Sequence, residues 1–149
     1  MTVQVSLDNN VKGFIIFGHA LVKNGTIVQN GARSTVLKKY TVLSQIASTG
    51  KYTPFVATNL TTGASVPCAI YLGEDIPAAS LVAGDVEDLA ILVGGGCNVD
   101  KNQLVWDGNT QSAASVINTG TIEARTAENA LMQIGIAIED TVMLDSYEN

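Results

Sequence analysis

Residue types that perform chemistry are sparse in this chain, and their spacing decides what they can do. His19 is the single histidine and sits between Gly18 and Ala20. An imidazole acts as an acid or base near neutral pH when a second group orients it and a reacting proton lies within reach. No Gly-x-Ser-x-Gly stretch is present and no acid is placed by sequence to orient His19, so a turn-adjacent polar role is expected. Glu74-Asp75 and Glu139-Asp140 are adjacent acidic pairs. Two carboxylates share acid–base work only when their side chains oppose each other, whereas neighbours in an extended chain point to opposite faces. Solvated charge is the expectation for both pairs. Gly94-Gly95-Gly96 has the glycine content of a phosphate loop without the Gly-Lys-Ser/Thr ending, so it reads as a tight turn. Cys68 and Cys97 lie far apart, neither in a Cys-x-x-Cys pair, and the spacing offers no set of about four zinc ligands. Two reduced, buried thiols are expected, with a disulfide between them left open. Trp106, before Asp107-Gly108, suits either a ligand platform or a buried anchor beside a turn, and the anchor is the expected role. The inventory predicts no catalytic residue, no cofactor and no metal.

The elements that position these residues follow from composition and periodicity. The 149 residues are 46% hydrophobic and 15% charged, against roughly 25% charged in an average domain. That excludes a disordered chain. No apolar run approaches the roughly 18 residues of a membrane span. Met1-Thr2-Val3-Gln4 has neither a basic n-region nor an apolar h-region, so no signal peptide is expected. Charge is split along the chain. Residues 1–51 hold six bases and one acid, a net of +5, while residues 52–149 hold two bases and thirteen acids, a net of −11. The acidic majority and the 5% aromatic content argue against nucleic acid as a partner. The basic third serves solubility or meets an acidic partner surface.

Thr2 to Leu7 alternates polar and apolar residues and predicts a strand with Val3, Val5 and Leu7 on one face. Asp8-Asn9-Asn10 breaks it. Phe14, Ile15, Ile16 and Phe17 predict a strand buried on both sides or against a partner. Asn24-Gly25 between Ala20–Lys23 and Thr26–Gln29 predicts a type I′ hairpin. Extended segments are expected over 35–46, 51–55, 66–72 and 86–93, with a turn or short helical turn at 75–79. Thr126 as N-cap, Glu128 in the first turn and a stripe of Ala130, Leu131 and Ile134 predict a helix that Gly135 stops. Ile136-Ala137-Ile138 then forms a short strand. The fold class is mainly β, with one or two short helices and an extended N-terminal arm.

The order of pieces from about Thr35 onward resembles the bacteriophage lambda-type head decoration protein family. Val42-Leu43-Ser44-Gln45-Ile46 is followed by Ser48-Thr49-Gly50-Lys51-Tyr52. Ala69-Ile70-Tyr71-Leu72-Gly73-Glu74-Asp75 comes next, then Ile91-Leu92-Val93-Gly94 and the stretch from Asn98-Val99 to Leu104-Val105-Trp106. Ala127 to Ala130 with Leu131-Met132-Gln133-Ile134-Gly135-Ile136 closes the series, which covers about residues 35–140. A longer linker between Trp106 and the helix, and strands of its own before Thr35, set this chain apart from the family pattern.

The resemblance implies a virion structural protein that is not an enzyme. It would be a cement protein, made in the host cytoplasm, that decorates the outer surface of the phage capsid. As a homotrimer it would bridge major capsid protein subunits and stabilise the expanded head. Residues 1–34 are then expected to be a capsid-facing arm and hairpin segment, and residues 35–149 the β-rich head-decoration domain. Val3, Val5, Leu7, Phe14, Ile15, Ile16 and Phe17 are the expected capsid-binding residues, with the strand adding to a capsid edge. Trp106, Gly135 and Ile136 are expected in the core or its turns. Neither nucleic acid nor membrane is an expected partner. The alternative is a non-catalytic binding module on a β scaffold at a virion surface, taking carbohydrate or a host-surface group.

Overall fold

Neighbouring residues in the central strands enter two different cores, which is why those strands are apolar on both faces. The computed structural model describes residues 13–59 and 63–139. Five strands close into a barrel in the order β2 (Leu21–Ile27), β4 (Tyr52–Pro54), β3 (Val42–Gln45), β5 (Pro67–Tyr71) and β6 (Val86–Gly94). A second, three-stranded sheet has β1 (Ile15–Gly18) and β10 (Ile136–Glu139) on either side of β7 (Cys97–Asp100). A ribbon of β8 (Val116–Ile117) and β9 (Arg125–Thr126), a short 3-10 helix at Asp107–Asn109 and the helices α1 (Ala78–Ala83) and α2 (Ala127–Gln133) complete the described elements. The chain is therefore mainly β with short helices.

Side chains alternate across a strand. Leu43, Ala69, Tyr71 and Ile91 join Ile27, Tyr52 and Leu81 in one cluster, which fills the barrel. Val42, Ile70 and Leu92, one residue away in each strand, join Phe14, Val99, Leu131 and Ile136 in a second cluster. That second core cements the barrel wall to the three-stranded sheet and α2. Thr126 caps α2 by accepting from the Asn129 N–H at 3.2 Å, and Ala127, Ala130 and Leu131 form its buried stripe. Gly135 follows at φ +90°, the expected stop, and Ile136 is fully buried.

Several expectations are corrected. Asn24-Gly25 makes no hairpin: β2 runs unbroken through it, with Asn24 opposite Ala90 and Gly25 opposite Leu89. The glycine is there for close packing. A methyl group on Gly25 would stand 2.8 Å from Ile91 Cγ1 and 3.0 Å from Tyr52 Cε2. Phe14 is a core residue rather than part of an arm; it is fully buried and stacks on Tyr40 with ring centroids 3.9 Å apart. Ile15, Ile16 and Phe17 belong to β1, which pairs antiparallel with β7 inside the protein's own sheet. Position 34 therefore separates no two bodies, since β2 is a stave of the barrel. Val3, Val5 and Leu7 lie outside the described residues. The extended stretch expected over 35–46 shortens to Val42–Gln45, because Tyr40 at φ +71° bends the chain and Leu37 bridges to Ile76 instead.

Candidate interaction surface

Gly94-Gly95-Gly96 is the turn expected between two strands, here β6 and β7, and all three residues have positive φ. Its other property is that it lets three separate backbones converge. A methyl on Gly94 would stand 2.5 Å from the Ile134 carbonyl oxygen, and one on Gly95 2.5 Å from the Leu21 amide nitrogen. His19 is exposed beside this turn, and its backbone N–H donates to the Gly96 carbonyl at 3.2 Å.

Around this hub lie four large apolar side chains in solvent: Phe17 is 74% exposed, Met132 53%, Leu21 50% and Ile134 36%. Phe17, Cys97, Asn98, Met132, Gly135 and Ala137 line one depression of about 310 Å³, which crosses all three strands of the small sheet. No residue lining it carries a charge. Exposed large apolar side chains gathered near one turn are the kind of feature that marks a contact surface. Only Phe17 among them was a candidate from sequence. Leu21 read as one arm of a hairpin, and Ile134 as part of the helix's buried stripe.

A second depression of about 510 Å³ lies beside Trp106, with Thr35, Val36, Lys38, Leu104 and Asp107 among its walls. Trp106 is only partly buried; it packs edge-on against Phe55, centroids 6.0 Å apart, so it is a wall of this cleft as well as an anchor. The walls are held by Arg33, a residue that sequence reading treated only as a charge. Its guanidinium donates to both Asp107 carboxylate oxygens at 2.8 and 2.9 Å. Its Nε donates to the Thr35 carbonyl at 2.9 Å and Nη2 to the Val36 carbonyl at 3.1 Å. Nothing in the local sequence signals this pair, because its partners lie 74 residues apart.

The thiols are unpaired with each other. Burial pushes the Cys68 thiol up to about 11, and burial also raises Cys97, so neither has the thiolate character of a nucleophile at neutral pH. Cys68 is partly and Cys97 fully buried. Among the described residues, no three His, Cys, Asp or Glu side chains group as metal ligands, and no helix is long and apolar enough to cross a membrane.

Comparison of the chain with protein-family models, curated proteins and solved structures finds no match.

Proposed function

We propose that this chain is a structural protein of a bacteriophage virion, which decorates the outer face of the head and cements it. In this reading it acts as a homotrimer that bridges major capsid protein subunits of the expanded shell, with no catalytic step and no cofactor. The observation that carries the reading is the order of the motifs together with where they fall. Val42–Gln45 is β3, Lys51-Tyr52 leads into β4, and Ala69–Tyr71 ends β5. Ile91–Gly94 ends β6, Asn98-Val99 lies in β7, and Ala127–Ile136 makes α2 and enters β10. The resemblance thus follows the framework of both cores rather than scattered surface positions. An uncharged depression lined by the exposed Phe17 and Met132 suits a protein that works by contact.

The test is to add the purified protein to expanded heads that lack decoration and to image them. Ordered density on the outer surface, at three-fold positions between capsid subunits, is the expected result, together with greater resistance of the heads to heat. Heads that stay bare at excess protein would refute the reading.

The cleft beside Trp106 favours one second reading, a carbohydrate-binding module. An indole face flanked by Thr35, Lys38 and Asn109 is a surface on which a sugar ring can stack and hydrogen-bond. Quenching or a blue shift of the single tryptophan's fluorescence by a glycan panel would support it. Unchanged emission across the panel would remove it.

A further inference from the structure

We infer that Trp106 and the depressions on either side of it form a binding site for an acidic polysaccharide, a chain of uronate sugars. The inference deepens the carbohydrate reading of the Trp106 cleft, on which it rests, and is independent of the virion reading.

The indole is a ridge between two hollows. Besides the cleft of about 510 Å³, Trp106 and Leu104 line a second depression of about 310 Å³, whose other walls include Lys101, Ser112, Ala113 and Ile138. The ring is held in place by the fold itself. Its edge-on contact with Phe55 sets the plane, the Trp106 carbonyl accepts from the Asn109 N–H at 3.0 Å, and the next residue, Asp107, is clamped by Arg33. A platform fixed in this way loses little freedom when a ligand covers it. Thr35 and Asn109 stand exposed beside it, and the Thr35 hydroxyl and the Asn109 side-chain amide make no hydrogen bond among the described residues.

Charge selects the ligand. The chain carries −6 overall, yet each depression is positive. Lys38 lines the larger and Lys101 the smaller, and both side chains reach solvent. Neither has an acidic partner among the described residues, whereas Arg33, Lys39 and Lys51 all do. Asp107 is the one acid in either lining among the described residues, and Arg33 occupies both of its oxygens. A ligand laid across the ridge therefore meets a cation on each side of an aromatic ring.

A uronate chain matches that order of groups. Its pyranose rings carry an apolar C–H face that can cover an indole, hydroxyls that can bond to Thr35 and Asn109, and a carboxylate on every ring for the lysines. An acidic peptide has the carboxylates without the flat saturated ring. A nucleic acid needs a track of bases along its phosphates and a series of stacking rings, and this site offers two lysines and one indole.

Titration of the full chain with oligogalacturonate and with alginate oligomers tests this, read by the emission of its single tryptophan and by calorimetry. Quenching or a blue shift is expected with at least one of them. The carboxyl-esterified form of the oligomer that binds, the same sugar without its charge, should bind about 10-fold more weakly. Lys38→Gln and Lys101→Gln should each weaken binding about 3- to 5-fold, the scale of one exposed charge pair. Both side chains are in solvent, so circular dichroism and melting of these variants should match wild type. Binding should also weaken as salt rises. Equal binding of the acid and its ester would overturn the inference and leave a neutral-sugar site standing. Polyglutamate binding as tightly as the uronate, or both lysine variants binding like wild type, would overturn it as well. No response to either uronate oligomer would overturn it, and silence across neutral glycans too would remove the carbohydrate reading with it.

Discussion

Removing the Asp107 carboxylate should unlatch residues 33–36 from the rest of the domain. Arg33 is the latch: its side chain is 6% exposed, that of Asp107 23%, and the two form a bidentate pair at 2.8 and 2.9 Å. In Asp107→Ala the guanidinium keeps its bonds to the Thr35 and Val36 carbonyls but loses both charge-assisted ones. Deleting one partner of a fully buried ion pair costs about 3–5 kcal/mol, mainly by stranding the other charge. Here solvent reaches part of the site, so a loss of about 2–3 kcal/mol is expected at pH 7. At about 2–4 °C per kcal/mol for a chain of this size, the melting temperature should fall by about 5–10 °C. Arg33→Lys should cost about 1–2 kcal/mol, because one ammonium cannot serve four acceptors arranged around a planar fork.

Urea unfolding followed by circular dichroism gives these numbers, and Arg33→Met with Asp107→Ala closes a double-mutant cycle. The double variant should lose less than the two single losses combined, since it leaves no stranded charge. If Asp107→Ala unfolds within about 0.5 kcal/mol of wild type, the pair is an ordinary surface contact. Residues up to 34 would then be free to act as a separate segment, and the integration of the N-terminal third argued above would fail.

Phe14→Ala should cost about 3–5 kcal/mol, because a fully buried ring stacked on Tyr40 is removed; a near-wild-type melt would return Phe14 to an arm. Gly25→Ala should cost about 1–3 kcal/mol by forcing a methyl between Ile91 and Tyr52, and an unchanged melting temperature would show that the barrel is loose there. At high pH the sign follows from two raised pKa values. Burial holds the Cys68 thiol neutral up to about 11 from an ordinary 9.0, and burial with Glu74 and Asp75 nearby holds Tyr71 neutral up to about 12 from 10.0. The unfolded chain releases these protons first, so their contribution is complete below pH 9 and is lost as pH rises through 11 and 12. Melting temperature against pH, read beside tyrosinate absorbance, should show that decline; a flat profile to pH 12 would contradict it.

Local signals were legible wherever one residue type has one physical use. Thr126, Glu128 and Gly135 bracket α2 as expected, because capping and positive φ are decided within a few residues. The extended segment expected over 86–93 is a strand, apolar on both faces over Leu89 to Val93 because its two faces enter two cores. Asn24-Gly25 misled because a glycine has two uses. It supplies positive φ in a turn, and it supplies the absence of a Cβ in a packed strand, and only the cross-barrel neighbours Ile91 and Tyr52 separate the two. The exposed patch was illegible for a related reason. Phe17 and Leu21 come from one stretch and Met132 and Ile134 from another over a hundred residues away, and nothing in either records that Gly94 to Gly96 draws the two together.

The charge asymmetry changes meaning once the fold is known. A basic first third suggests a surface that seeks an acidic partner. In the structure Arg33 pairs with Asp107, Lys51 with Asp85 at 2.5 Å and Lys39 with Glu74 at 3.9 Å. Three of the six N-terminal bases therefore face acids of the remaining chain, and the basic and acidic portions are stitched to each other. The Lys51 and Lys39 pairs add little stability, since at least one partner of each stands in solvent, but they reduce the field that an outside partner would sense. Steering by long-range charge is correspondingly weaker than the count of residues implies. In the proposed reading, affinity for a capsid shell would then come from apolar surface and from backbone groups. Among the described residues, β1 and β10 each pair on one side only, with β7, so the small sheet keeps two open edges close to the Phe17 patch. Recognition concentrated on that sheet would depend weakly on salt and strongly on shape.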